Sequence, residues 1–306
     1  MAYAENIYGH LSHRNARQKM IRLILQGGLG NQMFEYASAY AIARRINQPL
    51  VLDMSFFEVY KGREWCRPYE LSIFALHEQS TFVGGHQLEV KALPRLAYQC
   101  RKRRISHFGR YLFLPTELKR NNQVLFGYFV DYHLFEAYRH DLLQAFAFRT
   151  QPNAVNQRYL NDISTIESVS VHIRRGDYLN DANAGIFWHP DVEWYRKAML
   201  EMEKQVQNPT YYFFSDDIAW AQEQFADIKN AVFVDINHGP EAYNDMRLMA
   251  QCKHNIIANS TFSWWGAWLN KNPNKVVIAP GKYYNDDTSN ERCLSQMIPT
   301  NWIIVK

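Results

Sequence analysis

The sequence predicts an α/β fold with parallel, doubly wound sheets, and two patterns carry this prediction. After Pro152, short apolar runs alternate regularly with helical segments. Near the start of the chain, a β-branched run, a glycine-rich turn, a helical segment and a second apolar run form a βαβ unit. Helices that connect successive short strands are typical of parallel sheets covered on both faces. With 306 residues, 47% of them hydrophobic, the chain is long enough for about two domains with buried cores.

The predicted elements fall into two groups on either side of a polar, proline-containing stretch at 150–153. The first group comprises strands at 21–25, 50–53 and 124–129 and helices at 33–46 and 132–145. The second comprises helices at 154–164, 191–206, 217–226, 240–250 and 260–270 and strands at 168–173, 210–214, 231–234, 254–258 and 275–278. We therefore expect a first domain over 20–150 and a second over 151–306, preceded by a polar N-terminal extension, 1–19, that has no periodic pattern.

The bulk composition narrows the classes of partner and the compartment. The formal net charge of +4 suits small anionic ligands and does not indicate nucleic-acid binding. The four cysteines have no metal-ligand or disulfide spacing. No run is apolar and long enough for a membrane span, and the N-terminus lacks the apolar core of a signal peptide. We therefore expect a cytoplasmic protein.

A basic run, Arg101-Lys102-Arg103-Arg104, precedes an apolar and aromatic stretch at 111–114. Such a run could dock on anionic lipid headgroups at the inner face of a bacterial membrane. A solvated, charged loop is the favoured interpretation of this run.

The densest cluster of chemistry-bearing residues follows the strand predicted at 168–173. His172, Arg174, Arg175 and Asp177 stand together at its end, and ligands bind at the carboxyl ends of strands in doubly wound sheets. A guanidinium forms two hydrogen bonds at once to a phosphate or a carboxylate. The run therefore predicts an anionic ligand, with a plain ion pair between Arg174 and Asp177 as the alternative.

Two further strand ends of the second domain carry polar residues that would line the same crevice. Asp216 and Asp217 could accept hydrogen bonds from a base or a ribose, or one of them could cap the next helix. Ser260, Thr261 and Phe262 open a helix, where backbone N–H groups and the positive end of the helix dipole favour a phosphate. Ser260 could also be a helix cap without a ligand.

The glycine-rich loop at 27–32 follows the first predicted strand. Met33 occupies the position of the third glycine of a dinucleotide fingerprint, and the sequence has no P-loop pattern, which argues against a nicotinamide-dependent oxidoreductase. The loop would still let the backbone at Gly28 approach a ligand closely, and Asn31 would offer an amide to it.

Two other patterns indicate structure rather than chemistry. Trp264, Trp265 and Trp268 have helical spacing, which is more typical of helix packing than of a sugar-stacking platform. No Asp-x-Asp occurs, and Cys252 with His254 lacks a second pair of ligands, so the sequence predicts no metal site.

Four runs, in order along the chain, together resemble bacterial alpha-1,2-fucosyltransferases. They are Gly27-Gly28-Leu29-Gly30-Asn31-Gln32-Met33-Phe34, His172-Ile173-Arg174-Arg175-Gly176-Asp177-Tyr178, Phe214-Ser215-Asp216-Asp217 and Ile257-Ala258-Asn259-Ser260-Thr261-Phe262-Ser263-Trp264-Trp265-Gly266-Ala267. The resemblance implies a GT-B fold of two facing Rossmann-like domains, of which the first binds the acceptor and the second binds the donor, GDP-fucose. It implies an inverting reaction that needs no cofactor besides the donor substrate.

The resemblance also implies roles for individual residues. Arg174 would contact the diphosphate of GDP, as the first arginine of this motif does in the wider group that includes alpha-1,6- and protein O-fucosyltransferases. Asn31 would lie across the cleft, near the fucose and the acceptor. The residues that enclose the guanosine and the phosphates would be His172, Asp216, Ser260, Thr261 and Phe262.

A carboxylate near the anomeric carbon would take the proton of the attacking hydroxyl. We favour Asp53, at the end of the strand predicted at 50–53, and Asp177 as this base, with Glu35 and Asp181 as further candidates. Departure of GDP against the charge of Arg174 could also dominate the reaction without a strong base.

We therefore expect transfer of fucose from GDP-fucose to the 2-hydroxyl of a terminal galactose, on an oligosaccharide or a lipid-linked glycan of a surface polysaccharide. A fucosyltransferase of another linkage or a transferase that uses another GDP-sugar is the first alternative. A non-catalytic carbohydrate-binding protein is the second, and it would not be stabilised by GDP.

Overall fold

The computed structural model describes residues 20–77, 81–83, 123–176 and 185–306, and for 81–83 and 123–124 it describes the backbone alone. The predicted N-terminal extension, the basic run at 101–104, Asp177 and Asp181 lie outside the described residues. The strands are β1 (Ile21–Ile24), β2 (Leu50–Asp53), β3 (Thr81–Val83), β4 (Gln123–Leu125), β5 (Ser168–Ile173), β6 (Thr210–Ser215), β7 (Ala231–Phe233), β8 (His254–Ile256), β9 (Val277–Pro280) and β10 (Ile303–Val305). The helices are α1 (Leu29–Arg45), α2 (Ser55–Val59), α3 (Arg139–Ala145), α4 (Ala154–Thr165), α5 (Val192–Glu203), α6 (Ile218–Gln224), α7 (Tyr243–Gln251), α8 (Thr261–Leu269) and α9 (Asp287–Met297).

The strands pair into parallel sheets, as the sequence predicts. Strands β1 to β4 have the order β3-β2-β1-β4, and strands β5 to β10 have the order β10-β9-β8-β5-β6-β7. The register sets Ile24 beside Asp53 in the first sheet and Ile173 beside Ser215 in the second. In each sheet the strand order reverses beside its first strand in sequence, β1 or β5. Ligands bind outside the carboxyl ends of the strands at such a switch point.

Among the described strands, those of the first sheet precede residue 150 and those of the second follow it. The boundary between two domains near this residue stays a prediction, because one apolar core, which includes Leu23, Phe34, Trp265 and Trp302, joins the two sheets.

Three predicted elements differ from the structure. Helix α1 begins at Leu29 instead of residue 33, because the extended backbone of Gly28 (φ −86°, ψ 176°) lets the helix start inside the glycine-rich loop. The strand predicted at 124–129 ends at Leu125, since the backbone turns through positive φ at Gly127 and again at Phe129.

The segment 132–145 forms two short 3₁₀ turns followed by α3, because the non-helical backbone at Phe135 interrupts it. Helices α2 and α9 and strands β3 and β10 were not predicted. None of the helices within the described ranges combines the length and the apolar character that crossing a bilayer requires.

Helices α1 and α8 pack against each other at the centre of the molecule. Phe34 of α1 contacts both Trp264 and Trp265 of α8, at ring-centroid distances of 4.6 and 5.0 Å, and Phe135 stacks on Trp265 at 5.5 Å. Both indoles are fully buried, so they form packing surface and do not face a sugar. Burial of one such side chain removes roughly 150–250 Å² from water and stabilises the fold by about 5 kcal/mol.

The first turns of these two helices meet at Gly30. The Trp265 indole N–H donates a hydrogen bond of 3.0 Å to the Gly30 carbonyl. A Cβ atom on Gly30 would lie 2.7 Å from the backbone carbon of Thr261 and 2.8 Å from the backbone nitrogen of Phe262. Only a residue without a side chain therefore allows α1 and α8 to approach this closely.

We expect Gly30→Ala to destabilise the protein by about 1–3 kcal/mol, the usual effect of overpacking. Alanine has a higher helix propensity than glycine by up to about 1 kcal/mol, so propensity alone predicts the opposite sign. Equilibrium unfolding in urea measures the difference, with Gly185→Ala as the matched control because Gly185 has open space around its Cβ position. A Gly30→Ala protein as stable as the wild type would show that α1 can move away from α8 at no cost.

Candidate active site

A cleft of about 470 Å³ lies between the two sheets, at the carboxyl ends of β1 and β5. Residues on both sides of position 150 line it. They include Gly27, Gly28, Leu29, Gly30, Asn31, Trp65, Arg67, Glu70, Tyr128 and Val130 from the first sheet's side and Arg174, Phe187, Tyr243, Asn259, Ser260, Thr261, Phe262, Tyr283 and Tyr284 from the second's.

The glycine-rich loop forms one wall of the cleft. Gly27 has a φ of +72°, and a Cβ atom there would lie 2.9 Å from the Tyr128 ring, so conformation and space both require glycine at this position. At Gly28, by contrast, an added Cβ atom would lie 3.8 Å from the side chains of Arg67 and Glu70, which is an ordinary van der Waals contact. Asn31 accepts a hydrogen bond of 3.0 Å from the Thr261 hydroxyl, which ties this wall to the opposite one.

Gln32 holds a second segment of chain against this loop. Its side-chain amide donates to the carbonyls of Gly27 (2.7 Å) and Pro68 (2.8 Å), and its side-chain oxygen accepts from the backbone N–H of Glu70 (2.9 Å). Gln32 is fully buried. It therefore fixes 67–70 beside the glycine-rich loop, although this segment comes more than thirty residues later.

Arg174 lies at the end of β5 and forms an ion pair of 2.8 Å with Asp216, which follows β6. The other oxygen of Asp216 accepts from the backbone N–H of Arg175 at 2.9 Å. Both side chains of the ion pair are partly exposed, and Arg174 lines the cleft. Asp216 therefore orients Arg174. The resemblance implies a different role for this aspartate, a direct contact with guanosine.

Arg175 and Asp217, both predicted to bind the nucleotide, form a separate pair. The Arg175 guanidinium packs 4.0 Å above the ring of Trp220 and bonds to Asp217 at 3.1 Å. Asp217 also caps α6 by accepting from the Trp220 backbone N–H. Neither residue is among those that line the cleft. The described geometry engages both side chains with neighbouring residues, and their predicted role in binding the nucleotide stays a prediction.

His172 lies behind the cleft wall, with its ring 5.7 Å from that of Phe262. It is almost completely buried. Burial, together with the charge of Arg174, lowers the pKa of His172 to about 3, so the ring is neutral at physiological pH. Its Nδ1 atom has no hydrogen-bond partner among the described residues, which leaves a polar atom for a ligand or a water molecule.

The opposite wall is the beginning of α8. Ser260 is its N-cap and accepts from the Phe262 backbone N–H at 3.3 Å, so the helix-cap alternative for this serine is present in the structure. Ser260, Thr261 and Phe262 nevertheless all line the cleft. The first N–H groups of a helix and its dipole form a site that favours anions.

Asp53 and Glu35 lie away from the cleft. Asp53 is fully buried, accepts hydrogen bonds from the backbone N–H and hydroxyl of Ser55, and lies 3.6 Å from the Arg22 guanidinium. Glu35 is also fully buried, on α1, and accepts from the Gln26 backbone N–H at 2.9 Å. The geometry therefore does not support the predicted role of Asp53 as a catalytic base.

Sequence reasoning expected acceptor contacts from the middle segment, 60–130, but named no residue of 65–70, which supplies part of the cleft wall. Trp65 is 61% exposed, and it lies beside the cleft with Arg67 and Glu70. Aromatic and charged residues in an aperiodic loop after the second strand were the signal that could have pointed to this segment. No group of three or more candidate metal ligands occurs within the parts of the chain that are described.

Two facing, doubly wound sheets with an arginine and a helix N-terminus in the cleft define a GT-B glycosyltransferase. The structure of the fucosyltransferase NodZ from Bradyrhizobium has the same fold, with a TM-score of 0.54, 13% sequence identity, and coverage of 82% of this chain and 92% of that one. At this identity the similarity establishes the fold.

The chain belongs to glycosyl transferase family 11, whose model matches residues 109–306. The "O-antigen biosynthesis glycosyltransferase WbnK" of Escherichia coli is 32% identical over 91% of this chain and 98% of its own length. An "Alpha-1,2-colitosyltransferase" of Escherichia coli is 30% identical over 92% and 97%. The "Galactoside alpha-(1,2)-fucosyltransferase 2" of Pongo pygmaeus is 26% identical over 79% and 67%.

The low pKa of His172 makes a prediction about stability. Folding favours the neutral form of His172, because the pKa is lower in the folded protein than in the unfolded chain. The neutral ring therefore gives its full contribution to the free energy of unfolding above the unfolded pKa near 6.5. This contribution is lost as the pH falls from there towards the folded pKa of about 3. Between pH 7.5 and 5 we expect wild type to lose about 2 kcal/mol more stability than His172→Phe, which takes up no proton there. Urea unfolding at a series of pH values measures this difference. Parallel curves for the two proteins would mean that His172 titrates normally.

Proposed function

We propose that this protein transfers fucose from GDP-fucose, with inversion, to the 2-hydroxyl of a terminal galactose of a glycan. The observation that carries the proposal is the placement of Arg174 and the first turn of α8 in one cleft. A guanidinium and a helix N-terminus both favour a phosphate group, and together they fit the two phosphates of a nucleotide sugar. The neutral, buried ring of His172 beside Phe262 would then border the nucleoside.

In the proposed reaction, the oxygen of the acceptor hydroxyl forms a bond to the anomeric carbon of fucose. The bond from that carbon to the diphosphate oxygen breaks, and GDP leaves with the electron pair. Arg174 stabilises the negative charge that develops on the diphosphate, while Asp216 holds the guanidinium in place. Removal of one such donor typically lowers the rate by on the order of 10²–10³.

The names of the relatives support the proposed alpha-1,2 linkage more strongly than they support fucose as the sugar transferred. Two of them, from Escherichia coli and Pongo pygmaeus, carry alpha-1,2 linkages in their names, one as a colitosyltransferase and one as a galactoside fucosyltransferase. The 30% identity to the colitosyltransferase favours a second candidate, in which the donor carries colitose, a sugar that lacks one ring hydroxyl of fucose. In both candidates, Arg174 would bind the diphosphate of the nucleotide sugar.

Incubation with GDP-fucose and a panel of galactose-terminated oligosaccharides tests the proposal directly. We expect GDP release that depends on the galactoside, an alpha-1,2 linkage by NMR, and no loss of activity with a chelator, since the leaving group is stabilised by Arg174. Incubation with GDP-colitose in parallel tests the second candidate.

Three results would contradict parts of this proposal. Turnover with GDP-colitose but not GDP-fucose would replace the donor. Loss of activity with the chelator that added metal restores would contradict stabilisation by arginine alone. Failure to bind GDP at all would show that the cleft does not hold a nucleotide.

We expect Arg174→Ala to lower the transfer rate by on the order of 10²–10³ and to weaken GDP binding, because the diphosphate loses its charged partner. The matched control is Arg158→Ala, an exposed residue on α4 that does not line the cleft. Steady-state kinetics and calorimetric GDP titration measure both effects, and thermal unfolding verifies the fold. Full activity in Arg174→Ala would refute the role of this residue.

A further inference from the structure

Among the described residues that line the cleft, Glu70 is the one carboxylate. Of the other acidic residues considered above that the structure describes, Asp53 and Glu35 are fully buried outside the cleft, and Asp216 is paired with Arg174. Glu70 comes from the first sheet's side of the cleft, opposite Arg174. In the proposed reaction, the attacking hydroxyl approaches from the wall that faces the leaving-group site. A carboxylate on that wall could accept its proton.

Gln32 and α1 position Glu70 tightly. The buried Gln32 side chain accepts from the Glu70 backbone N–H and donates to Pro68, which fixes both ends of this short stretch. The Glu70 carboxylate accepts a hydrogen bond from the backbone N–H of Leu29, at the start of α1. It also lies 3.8 Å from the Cβ position of Gly28, a residue whose missing side chain leaves the carboxylate accessible from the cleft.

The environment of Glu70 suits a base. Burial raises its pKa above the ordinary value for a glutamate, while the Leu29 N–H and the nearby Arg67 guanidinium lower it in part. The charged and titratable groups that line the cleft with it, among the described residues, are Arg67, Tyr128, Arg174, Tyr243, Tyr283, Tyr284 and Cys293. None of these carries a negative charge at neutral pH in its ordinary ionisation state.

Next to Glu70, two exposed aromatic side chains form a surface that suits a sugar acceptor. Trp65 is 61% exposed and Tyr128 is 40% exposed, and both line the cleft on this side. Trp65 is supported from behind by Tyr60, at a ring-centroid distance of 5.1 Å. Exposed aromatic rings that are held in place offer an apolar face with polar neighbours, which suits a ligand that is apolar on one side and hydroxylated at its edge.

We propose that Glu70 is the catalytic base of the transfer reaction, an inference that rests on the proposed function. As the acceptor oxygen bonds to the anomeric carbon and GDP departs, the hydroxyl proton passes to a Glu70 carboxylate oxygen. The proton is later released to solvent. Arg67 and the Leu29 N–H keep the carboxylate in place, and Trp65 with Tyr128 supports the acceptor sugar.

The test is Glu70→Gln, which keeps the size of the side chain and an oxygen that can accept from Leu29 N–H. We expect kcat to fall by on the order of 10²–10⁴, the range for loss of a general base. KM for GDP-fucose and the affinity for GDP should stay within about threefold of wild type, because Glu70 is on the acceptor side. The matched control is Glu64→Gln, the same substitution at an exposed position that does not line the cleft.

A pH profile separates a base from a positioning residue. A base acts in its deprotonated form, so the wild-type rate should rise with pH through the pKa of Glu70 and then level off. In Glu70→Gln this rise of the rate at acidic pH, the acidic limb of the profile, should be absent. Glu70→Asp should restore part of the rate together with the acidic limb.

The outcomes also separate this inference from the proposed function. If wild type transfers fucose while Glu70→Gln keeps most of kcat or retains the acidic limb, the inference alone is overturned. A rise in acceptor KM with unchanged kcat would likewise overturn it, in favour of a binding role. If wild type is active only with another GDP-sugar, the proposed donor fails, and the same comparison of variants with that donor decides the role of Glu70.

Discussion

The close approach of α1 and α8 at Gly30 is the constraint on which the cleft depends. The Trp265 indole N–H donates a hydrogen bond to the Gly30 carbonyl, and the Thr261 hydroxyl donates one to the side-chain oxygen of Asn31. Each helix starts beside the carboxyl edge of its own sheet, so this contact brings the two edges together. Two helix N-termini carry partial positive charge and repel each other unless an anion lies near them. The Glu70 carboxylate at the start of α1 meets this need on one side.

The two adjacent arginines after β5 illustrate how one motif serves two purposes. Arg174 faces the cleft and is oriented by Asp216, whereas Arg175 packs on Trp220 and pairs with Asp217. The second pair stabilises the start of α6 and thereby the loop that carries Asp216. The motif therefore combines a ligand contact with the local structure that holds it.

The sequence predicted most of the elements of the second sheet, and it did not reveal contacts between distant segments. Strand β5 lies at the predicted residues because its apolar run ends sharply in charged residues. The strand-end rule also suggested Asp53, but burial beside Arg22 depends on neighbouring strands that no local pattern reveals. Glu70 was missed for the same reason, since a hydrogen bond to Gln32 across 38 residues puts it in the cleft. The roles of Asp177 and of the basic run at 101–104 stay predictions.

Catalysis in such a cleft depends on the distance between its walls as well as on single residues. In the proposed reaction, Arg174 binds the leaving group on one side of the cleft, and the acceptor lies beside Glu70 on the other. Misplacement of reacting groups by about 1 Å can lower a rate by on the order of 10². Because the contact at Gly30 sets the separation of the walls, a side chain there would displace acceptor from donor even where both sheets stay folded. In the proposed reaction, Gly30 therefore affects the chemistry as well as the fold.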